Sequence, residues 1–471
     1  MVNHRTRFIT EGVISTVHMV DFDVIVIGGG TGNNVAAAAA DAGLDTALVE
    51  PGPLGGTCLN RGCNPSKMLI QAANAMNNVR DAERFHVDAT LGGIDYAAVV
   101  DEMDDLLGGI SEGMEARYRE KEHLTLFKEY TEFVDERTVS LGGERVTGDK
   151  FVISTGSRPI VPPIDGLSDI DYLTSQDALY LRDPPESLVI LGGGYIAVEL
   201  GYVFQSLGTD VTIVEMMDSL VPREDGDVAA AFTEIAAERH DVYTGHRVTA
   251  VDADGDGYAV HAETESGDEI TVEGSEVLVA LGRRPNNDEL GLDAADVDVD
   301  DRGFIETNEY LETSAENVWA QGDVAGNALF KHSGDYETQH VVSNVVHGEQ
   351  KALDLSAMPH AIFTEPQIAG VGATEEELQE EGSEYVVGRA AFADSSMGRA
   401  KKLEDGFLKV LASPDGEIRG AHVIGYEAST LLHEVVVAMR HGLSVDDVAG
   451  TIHAHPTLSK IVESAFKDVS N

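Results

Sequence analysis

The sequence of 471 residues predicts an α/β fold in which two similar strand–helix–strand units precede a C-terminal α+β domain. Residues 22–27 form an apolar run typical of a buried parallel strand. A glycine-rich turn, an alanine-rich helix and a second strand follow it. The same order recurs from residue 187, and each unit ends on an acid, Glu50 in the first and Glu215 in the second. Two complete units in one chain are a much stronger signal than one glycine motif.

The glycine-rich turn is the part of each unit that would contact a dinucleotide. Glycines let the backbone approach a pyrophosphate, and the N-terminus of the following helix attracts its negative charge. The terminal acid of each unit is placed to hold a ribose diol. The turn residues are Gly28, Gly30, Gly32 and Asn33 in the first unit and Gly192, Gly194 and Ala197 in the second. Two dinucleotide sites are therefore expected, with Asn33 at the third glycine position of the first.

The second unit gives conflicting indications about which nicotinamide nucleotide it binds. Glu215 favours the free 2′-hydroxyl of NADH and repels a 2′-phosphate. Ala197 at the third glycine position is more often seen with NADPH, and Arg223 is a cation that would suit a phosphate. The sequence therefore leaves NADH and NADPH open.

The chain contains only two cysteines, Cys58 and Cys63, and they lie five positions apart after the first unit. Zinc binding is disfavoured because too few further ligands are nearby. On an ideal helix this spacing corresponds to a rise of roughly 7.5 Å. A disulfide needs a Cα separation of about 4.4–6.8 Å. A bridge between them thus requires a distorted first turn, and a strained bridge is easily reduced. The pair predicts a redox-active disulfide, with a helix N-terminus that favours the thiolate.

The composition indicates a protein adapted to high salt. The chain carries 83 acidic and 32 basic residues, for a formal charge of −51, yet 42% of its residues are hydrophobic. A dispersed acidic surface suits molar salt, where screening removes most self-repulsion. Nucleic acids and anionic membranes are disfavoured as partners. Residues 1–18 contain no secretion signal and are expected to be a disordered tail or a start assigned too early, which predicts a cytoplasmic protein.

These residues resemble the pyridine nucleotide–disulfide oxidoreductases, the family of glutathione reductase and dihydrolipoyl dehydrogenase, from residue 20 to about 468. Further similar segments are residues 152–159, 278–285, 318–324, 363–368, 420–425 and 453–458. The resemblance implies two Rossmann-like dinucleotide-binding domains, FAD and NADH or NADPH as cofactors, and a homodimer. It places an FAD-binding domain at 19–158 and 285–353, an NAD(P)-binding domain at 159–284 and a dimerisation domain at 354–471.

The resemblance also implies roles for individual residues. Electrons would pass from the nicotinamide through FAD to the Cys58–Cys63 disulfide and then to a small disulfide substrate. Cys63 would be the thiolate beside the flavin, and Cys58 would exchange with the substrate. His455 would act as general acid and base in the partner subunit's site. Lys67 and Glu199 would form an ion pair beside the flavin, and Asp323 would bind the ribityl chain. Other expected cofactor contacts are Gly56, Thr57, Thr155, Gly156, Gly282 and Gly322.

One position departs from the family pattern. A glutamate usually lies five residues after the catalytic histidine and orients its imidazole, but this chain has Lys460 there. A lysine cannot accept the imidazole N–H hydrogen bond. Glu463 lies about one helical turn further on and is the candidate substitute, against a backbone carbonyl or a water molecule.

The substrate rests on analogy within the family. Asn33, Lys331 with His332, and residues 232–236 resemble mycothione reductase. With the acidity of a halophile, this predicts reduction of bis-γ-glutamylcystine in thiol redox homeostasis. Dihydrolipoyl dehydrogenase is the alternative, supported by Glu215 and residues 453–459, and a non-catalytic flavin-binding scaffold is a third possibility. Mercuric reductase and high-molecular-weight thioredoxin reductase are excluded because both need a further cysteine pair.

Overall fold

A computed structural model describes residues 20–470. The predictions made for residues 1–18 lie outside this range. Within it, no helix is both long and apolar enough to cross a membrane.

The first structural unit is built on a seven-stranded sheet. Its elements are β1 (Val20–Ile27), α1 (Gly32–Asp41), β2 (Thr46–Val49), α2 (Gly56–Arg61), α3 (Cys63–Arg80), α4 (Tyr96–Arg119), β3 (Leu124–Phe127), β4 (Thr131–Asp135), β5 (Thr138–Leu141), β6 (Glu144–Ile153) and β7 (Ser157–Pro159). The strand order is β3-β2-β1-β6-β5-β4. The first four of these strands pair in parallel, and β5 and β4 form an antiparallel hairpin against β6. Buried apolar residues on both faces, as in β1, suit a parallel sheet covered on both sides.

The second unit repeats this plan with a five-stranded parallel sheet. Its elements are β8 (Leu173–Thr174), α5 (Ser175–Leu179), β9 (Ser187–Leu191), α6 (Tyr195–Leu207), β10 (Asp210–Val214), α7 (Gly226–Ala237), β11 (Asp241–Tyr243), β12 (Arg247–Asp254), β13 (Gly257–Glu263), β14 (Glu269–Gly274), β15 (Glu276–Val279) and β16 (Arg283–Pro285). The parallel order is β11-β10-β9-β15-β8, and β12, β13 and β14 form an antiparallel sheet. The antiparallel pair β7–β16 joins the two units.

The chain then returns to the first sheet before forming the C-terminal domain. The elements are β17 (Val318–Ala320), α8 (Lys331–Val341), β18 (Pro359–Ile362), β19 (Gln367–Gly372), α9 (Glu375–Glu381), β20 (Val386–Ala391), α10 (Ser396–Lys401), β21 (Phe407–Ala412), β22 (Ile418–Gly425), α11 (Ala428–Leu431), α12 (His433–Arg440), α13 (Val445–Ala449) and α14 (Ser459–Val469). Strand β17 pairs with β6 in parallel. Strands β18-β19-β22-β21-β20 form an antiparallel sheet. Short 3₁₀ helices span Asp81–Phe85, Leu167–Asp169, Leu292–Ala295, Gly322–Val324 and Phe392–Asp394, and a π-helical turn spans Val342–Val346.

One apolar core crosses all three parts of the molecule. It joins Leu69 on α3, Phe204 on α6, and Ile362 and Ile424 of the C-terminal sheet, all of them at most 3% exposed. Burying each such side chain contributes about 1.5–3 kcal/mol. This core holds α3, which begins at Cys63, against α6, which begins after the second glycine turn. The predicted α/β architecture is confirmed.

Candidate active site

The two cysteines lie on either side of a break in the helix. Helix α2 carries Cys58 and ends at Gly62, whose φ of −153° and ψ of −112° are not helical, and α3 begins at Cys63. A side chain at Gly62 would press on Thr57, since its Cβ would lie 3.0 Å from the Thr57 carbonyl oxygen. Both cysteines are free thiols in this structure, and Cys58 Sγ lies 3.8 Å from Asn64 Oδ1. The break is the distortion that the five-residue spacing predicts.

The two thiols share a proton unequally. A hydrogen bond from Cys58 to Cys63 raises the pKa of Cys58 well above its ordinary value. The same bond, helped by the positive charge of Lys67, lowers the pKa of Cys63 to about 7, although burial and Glu199 oppose the shift. These shifts favour a thiolate at Cys63 and a protonated thiol at Cys58 in the reduced pair.

This asymmetry makes a pH prediction. Because the pKa of Cys63 is lowered, its thiolate is expected to form as the pH rises through about 7 and to be lost below that value. The ultraviolet absorbance of thiolate in the dithiol enzyme, titrated with pH, measures this midpoint. Cys58→Ala removes the donor and is expected to move the midpoint upward, and an unmoved midpoint would contradict the assigned cause.

Lys67 and Glu199 form an ion pair one helical turn from Cys63. Lys67 Nζ lies 2.8 and 2.7 Å from the two carboxylate oxygens of Glu199 on α6. Glu199 also accepts the backbone N–H of Phe363 at 2.9 Å, and Lys67 Nζ lies 4.5 Å from the centre of the Phe363 ring. Three distant segments thus fix one positive charge beside the thiolate.

The first glycine turn packs closely against neighbouring backbone. A Cβ at Gly28 would lie 2.2 Å from the Ser154 carbonyl oxygen, and one at Gly56 would lie 2.6 Å from the Cα of Gly30. Glu50 accepts the N–H of Gly29 at 2.7 Å through one oxygen. At Gly32 a Cβ would lie 2.9 Å from Ser154 Cβ. Only glycine fits these positions, because the backbone of the turn packs directly against the strand end at Ser154 and against its own neighbouring turn.

Buried polar atoms around this turn have no hydrogen-bond partner within the described residues. They are Asn33 Oδ1, Ser154 Oγ, Thr155 Oγ1 and Gln321 Oε1. Asn33 does donate from its amide nitrogen to the Gly29 carbonyl at 3.2 Å. Gly156, with φ +71°, has no atom within 4 Å of a built Cβ. Unpaired buried polar atoms around the first glycine turn fit the predicted FAD, which would supply their hydrogen-bond partners.

Asp323 lies two residues after Gln321, in the 3₁₀ turn Gly322–Val324. It accepts a hydrogen bond from Ser157, which also accepts Arg283 Nε at 2.8 Å. Glu337 is fully buried and accepts the N–H of Gly322 at 2.5 Å. Its burial raises its pKa to about 7. No role was predicted from the sequence for Glu337, or for Arg283, which directly follows Gly282.

The second glycine turn has the same geometry. Glu215 accepts the N–H of Gly193 at 2.5 Å and that of Met217 at 2.8 Å. A Cβ at Gly192 would lie 2.7 Å from the Ala280 carbonyl oxygen, whereas one at Gly194 would meet no atom within 4 Å. Ala197 is buried under the turn. Gly282, with φ +119°, lies in the turn that follows the neighbouring strand β15. The turn is therefore open at Gly194 and closed at Gly192.

His455 and its predicted helper do not form the expected pair. His455 is exposed, just before α14. Glu463 on that helix is bound by Lys460 through one oxygen and by Lys467 Nζ at 2.6 Å through the other. That Glu463 orients His455 stays a prediction: the described residues contain no hydrogen bond between the two, and the carboxylate oxygens of Glu463 bind Lys460 and Lys467. The neighbouring His453, in contrast, has a carboxylate partner in Glu434 at 3.1 Å.

Two family profiles match the chain. "Pyridine nucleotide-disulphide oxidoreductase" matches residues 22–352, and its dimerisation domain matches residues 358–466. The chain therefore belongs to the pyridine nucleotide-disulphide oxidoreductases. It is an FAD-dependent enzyme that uses NAD(P)H, acts on sulfur groups and carries the domain through which this family forms homodimers. The predicted family, cofactors and class of enzyme are confirmed.

Similar proteins include enzymes of halophilic archaea and of bacteria. The chain is 39% identical to a dihydrolipoyl dehydrogenase of Halobacterium salinarum over 94% of this chain and 95% of that protein. It is 32% identical to a mercuric reductase of Staphylococcus aureus over 96% of this chain and 83% of that protein. Among solved structures, the HOCl-induced flavoprotein disulfide reductase RclA from Escherichia coli superposes with a TM-score of 0.84 at 26% identity, covering 94% of this chain and 99% of that one.

Proposed function

We propose that this enzyme oxidises a dihydrolipoyl group and passes the electrons to NAD⁺. The observation that carries the proposal is that dihydrolipoyl dehydrogenases from three halophilic archaea are 36–39% identical to the chain over nearly its whole length. From the sequence alone, reduction of bis-γ-glutamylcystine was the first prediction and dihydrolipoyl oxidation the alternative, and the relatives favour the alternative. Asn33 and the Lys331–His332 pair were weaker guides than similarity along the whole chain.

Each residue of the site has its own step in the proposed reaction. One substrate thiolate attacks Cys58, the Cys58–Cys63 bond breaks, and Cys63 leaves as a thiolate stabilised by Lys67. The second substrate thiol then displaces Cys58, closing the lipoyl disulfide and leaving the enzyme as a dithiol. His455 of the partner subunit takes the substrate protons. Bound FAD supplies a two-electron carrier between this dithiol and NAD⁺, so one hydride and one proton leave the site in each turnover.

Steady-state assays in molar KCl test the proposal. Dihydrolipoamide with NAD⁺ is compared with bis-γ-glutamylcystine and NADH or NADPH on the same holoenzyme. The proposal expects dihydrolipoamide to have the larger kcat/KM. Dominant reduction of bis-γ-glutamylcystine would overturn it and establish a thiol-maintenance reductase instead.

Bis-γ-glutamylcystine reduction remains the second candidate because of the segment around His455. Lys460 stands where the family usually has a glutamate, and Glu463 is bound by Lys460 and Lys467. The position that holds a glutamate beside the imidazole in the family pattern is therefore a lysine, and this departure leans away from dihydrolipoyl dehydrogenase.

Glu215 is proposed to select NAD⁺ over NADP⁺. Two backbone N–H groups hold its carboxylate at the end of β10, where a 2′-phosphate would meet its negative charge. Glu215→Gln keeps the shape and removes the charge. We expect it to improve the NADPH-to-NADH ratio of kcat/KM by about tenfold, or roughly 1.4 kcal/mol. Asp218→Asn, a charge change on the same loop, is the control, and equal ratios for all three proteins would contradict the assignment.

A further inference from the structure

The loop between β10 and α7 contains a strained residue that touches the second glycine turn. Val221 has φ +46°, a conformation rarely adopted by a β-branched residue. Its N–H donates to the Gly193 carbonyl at 2.8 Å, and its own carbonyl accepts the N–H of Glu224 at 2.9 Å. Such strain persists only where surrounding contacts fix the backbone, and it clusters at functional sites. The question is which contacts fix this loop.

The fixing contacts come from the C-terminal domain. His360 Nε2 donates to Glu224 Oε2 at 2.8 Å, and the Glu224 side chain is only 4% exposed. The next residue, Asp225, is fully buried and holds Lys409 Nζ at 2.9 and 3.0 Å. Gly370 on β19 leaves the space for the imidazole, because a Cβ there would lie 2.5 Å from His360 Cε1.

His360 also belongs to a row of three aromatic rings that leads through Phe330 to Tyr195 on α6. Its ring stacks on Phe330 with centres 6.1 Å apart and planes 13° apart. Phe330 in turn lies 5.9 Å from Tyr195, the first residue of α6. Four residues further on the same helix is Glu199, the partner of Lys67. The row therefore ends at the start of the helix that leads from the second glycine turn to the ion pair beside Cys63.

We propose that Glu224 and His360 position the nicotinamide-side wall of the active site, formed by Tyr195 and Phe330. Through this hydrogen bond, docking of the C-terminal domain fixes both the Val221 loop beneath the second glycine turn and the ring row beside it. Neither residue touches the thiol substrate in this role. The inference therefore holds for dihydrolipoamide and for bis-γ-glutamylcystine alike.

The test separates the two half-reactions of the holoenzyme. Stopped-flow absorbance measures flavin reduction by NADH and, separately, by dithiothreitol, and calorimetry measures NAD⁺ binding. Because His360→Ala removes a hydrogen bond to a charged group, we expect NADH-driven flavin reduction to slow and NAD⁺ binding to weaken, each by about tenfold. Dithiothreitol-driven reduction is expected to stay within about twofold of the wild-type rate, since it uses the opposite part of the site.

Two further variants separate positioning from general stability. His360→Gln places an amide N–H near the position of Nε2 and is expected to restore most of the NADH-driven rate. Glu224→Gln keeps the size of the partner and is expected to weaken the NADH side in the same direction. Equal losses in both half-reactions, or no loss of NADH-driven reduction in His360→Ala and Glu224→Gln, would overturn the proposal. Failure of dihydrolipoamide as a substrate would leave it untouched.

Discussion

Replacing either cysteine with serine is expected to lower thiol-dependent turnover by about a thousandfold or more, because no disulfide can form. The two variants are not equivalent. Cys63→Ser removes the group whose pKa is lowered to about 7 by Cys58 and Lys67. Cys58→Ser leaves that thiolate in place but removes the sulfur that the substrate thiolate attacks. Steady-state turnover of dihydrolipoamide, with flavin content matched by absorbance, measures the loss.

An artificial electron acceptor provides the control. Both serine variants are expected to keep NADH oxidation by ferricyanide, which needs only the nicotinamide side of the site. Cys58→Ser alone is expected to retain the long-wavelength absorbance of a thiolate beside oxidised flavin. If the two variants exchange these signatures, the assigned order of Cys58 and Cys63 is wrong.

Lys67→Met is expected to slow electron transfer between the nicotinamide and the cysteine pair by about a hundredfold. The substitution removes the positive charge beside Cys63 and leaves the Glu199 carboxylate, which is 10% exposed, without its partner. Both changes disfavour negative charge on the reduced site. The pKa of Cys63 should rise as well, since Lys67 lowers it. Stopped-flow rates with NADH and the Cys63 titration measure the two effects independently.

Two matched variants distinguish charge from packing in this ion pair. Lys67→Arg keeps the charge and the stacking on Phe363 and is expected to retain a substantial share of the rate. The double variant Lys67→Met with Glu199→Gln removes the unpaired carboxylate, so it should recover thermal stability without recovering the rate. Recovery of the full rate in the double variant would show that the lysine charge is dispensable.

The sequence was a good guide wherever function depends on short-range geometry. The rise of a helix predicted a break between Cys58 and Cys63, and Gly62 makes it. The acids that end the two units, Glu50 and Glu215, each accept a backbone N–H of their own glycine turn. Such features lie within one strand–helix–strand unit, so spacing along the chain determines spacing in the fold.

The sequence was a poor guide to which charged and polar side chains pair with each other. Glu463 was expected to serve His455, yet Lys460 and Lys467 on the same helix hold it. The 136 residues between Glu224 and His360 hide their hydrogen bond from any local pattern. A charged side chain on a helix has several partners within reach, and tertiary packing selects among them.

The ion pair of Lys67 also makes the site depend on folding of the whole chain. Lys67 and Glu199 are 132 residues apart, and Glu199 and Phe363 are 164 apart. All three parts of the chain must therefore meet before this charge is held in place, and contacts so distant in sequence form slowly. During refolding, helical and sheet signals should return before the disulfide pair regains its chemistry. A partly folded chain would thus carry both cysteines but would transfer electrons only poorly to molecules other than its substrate.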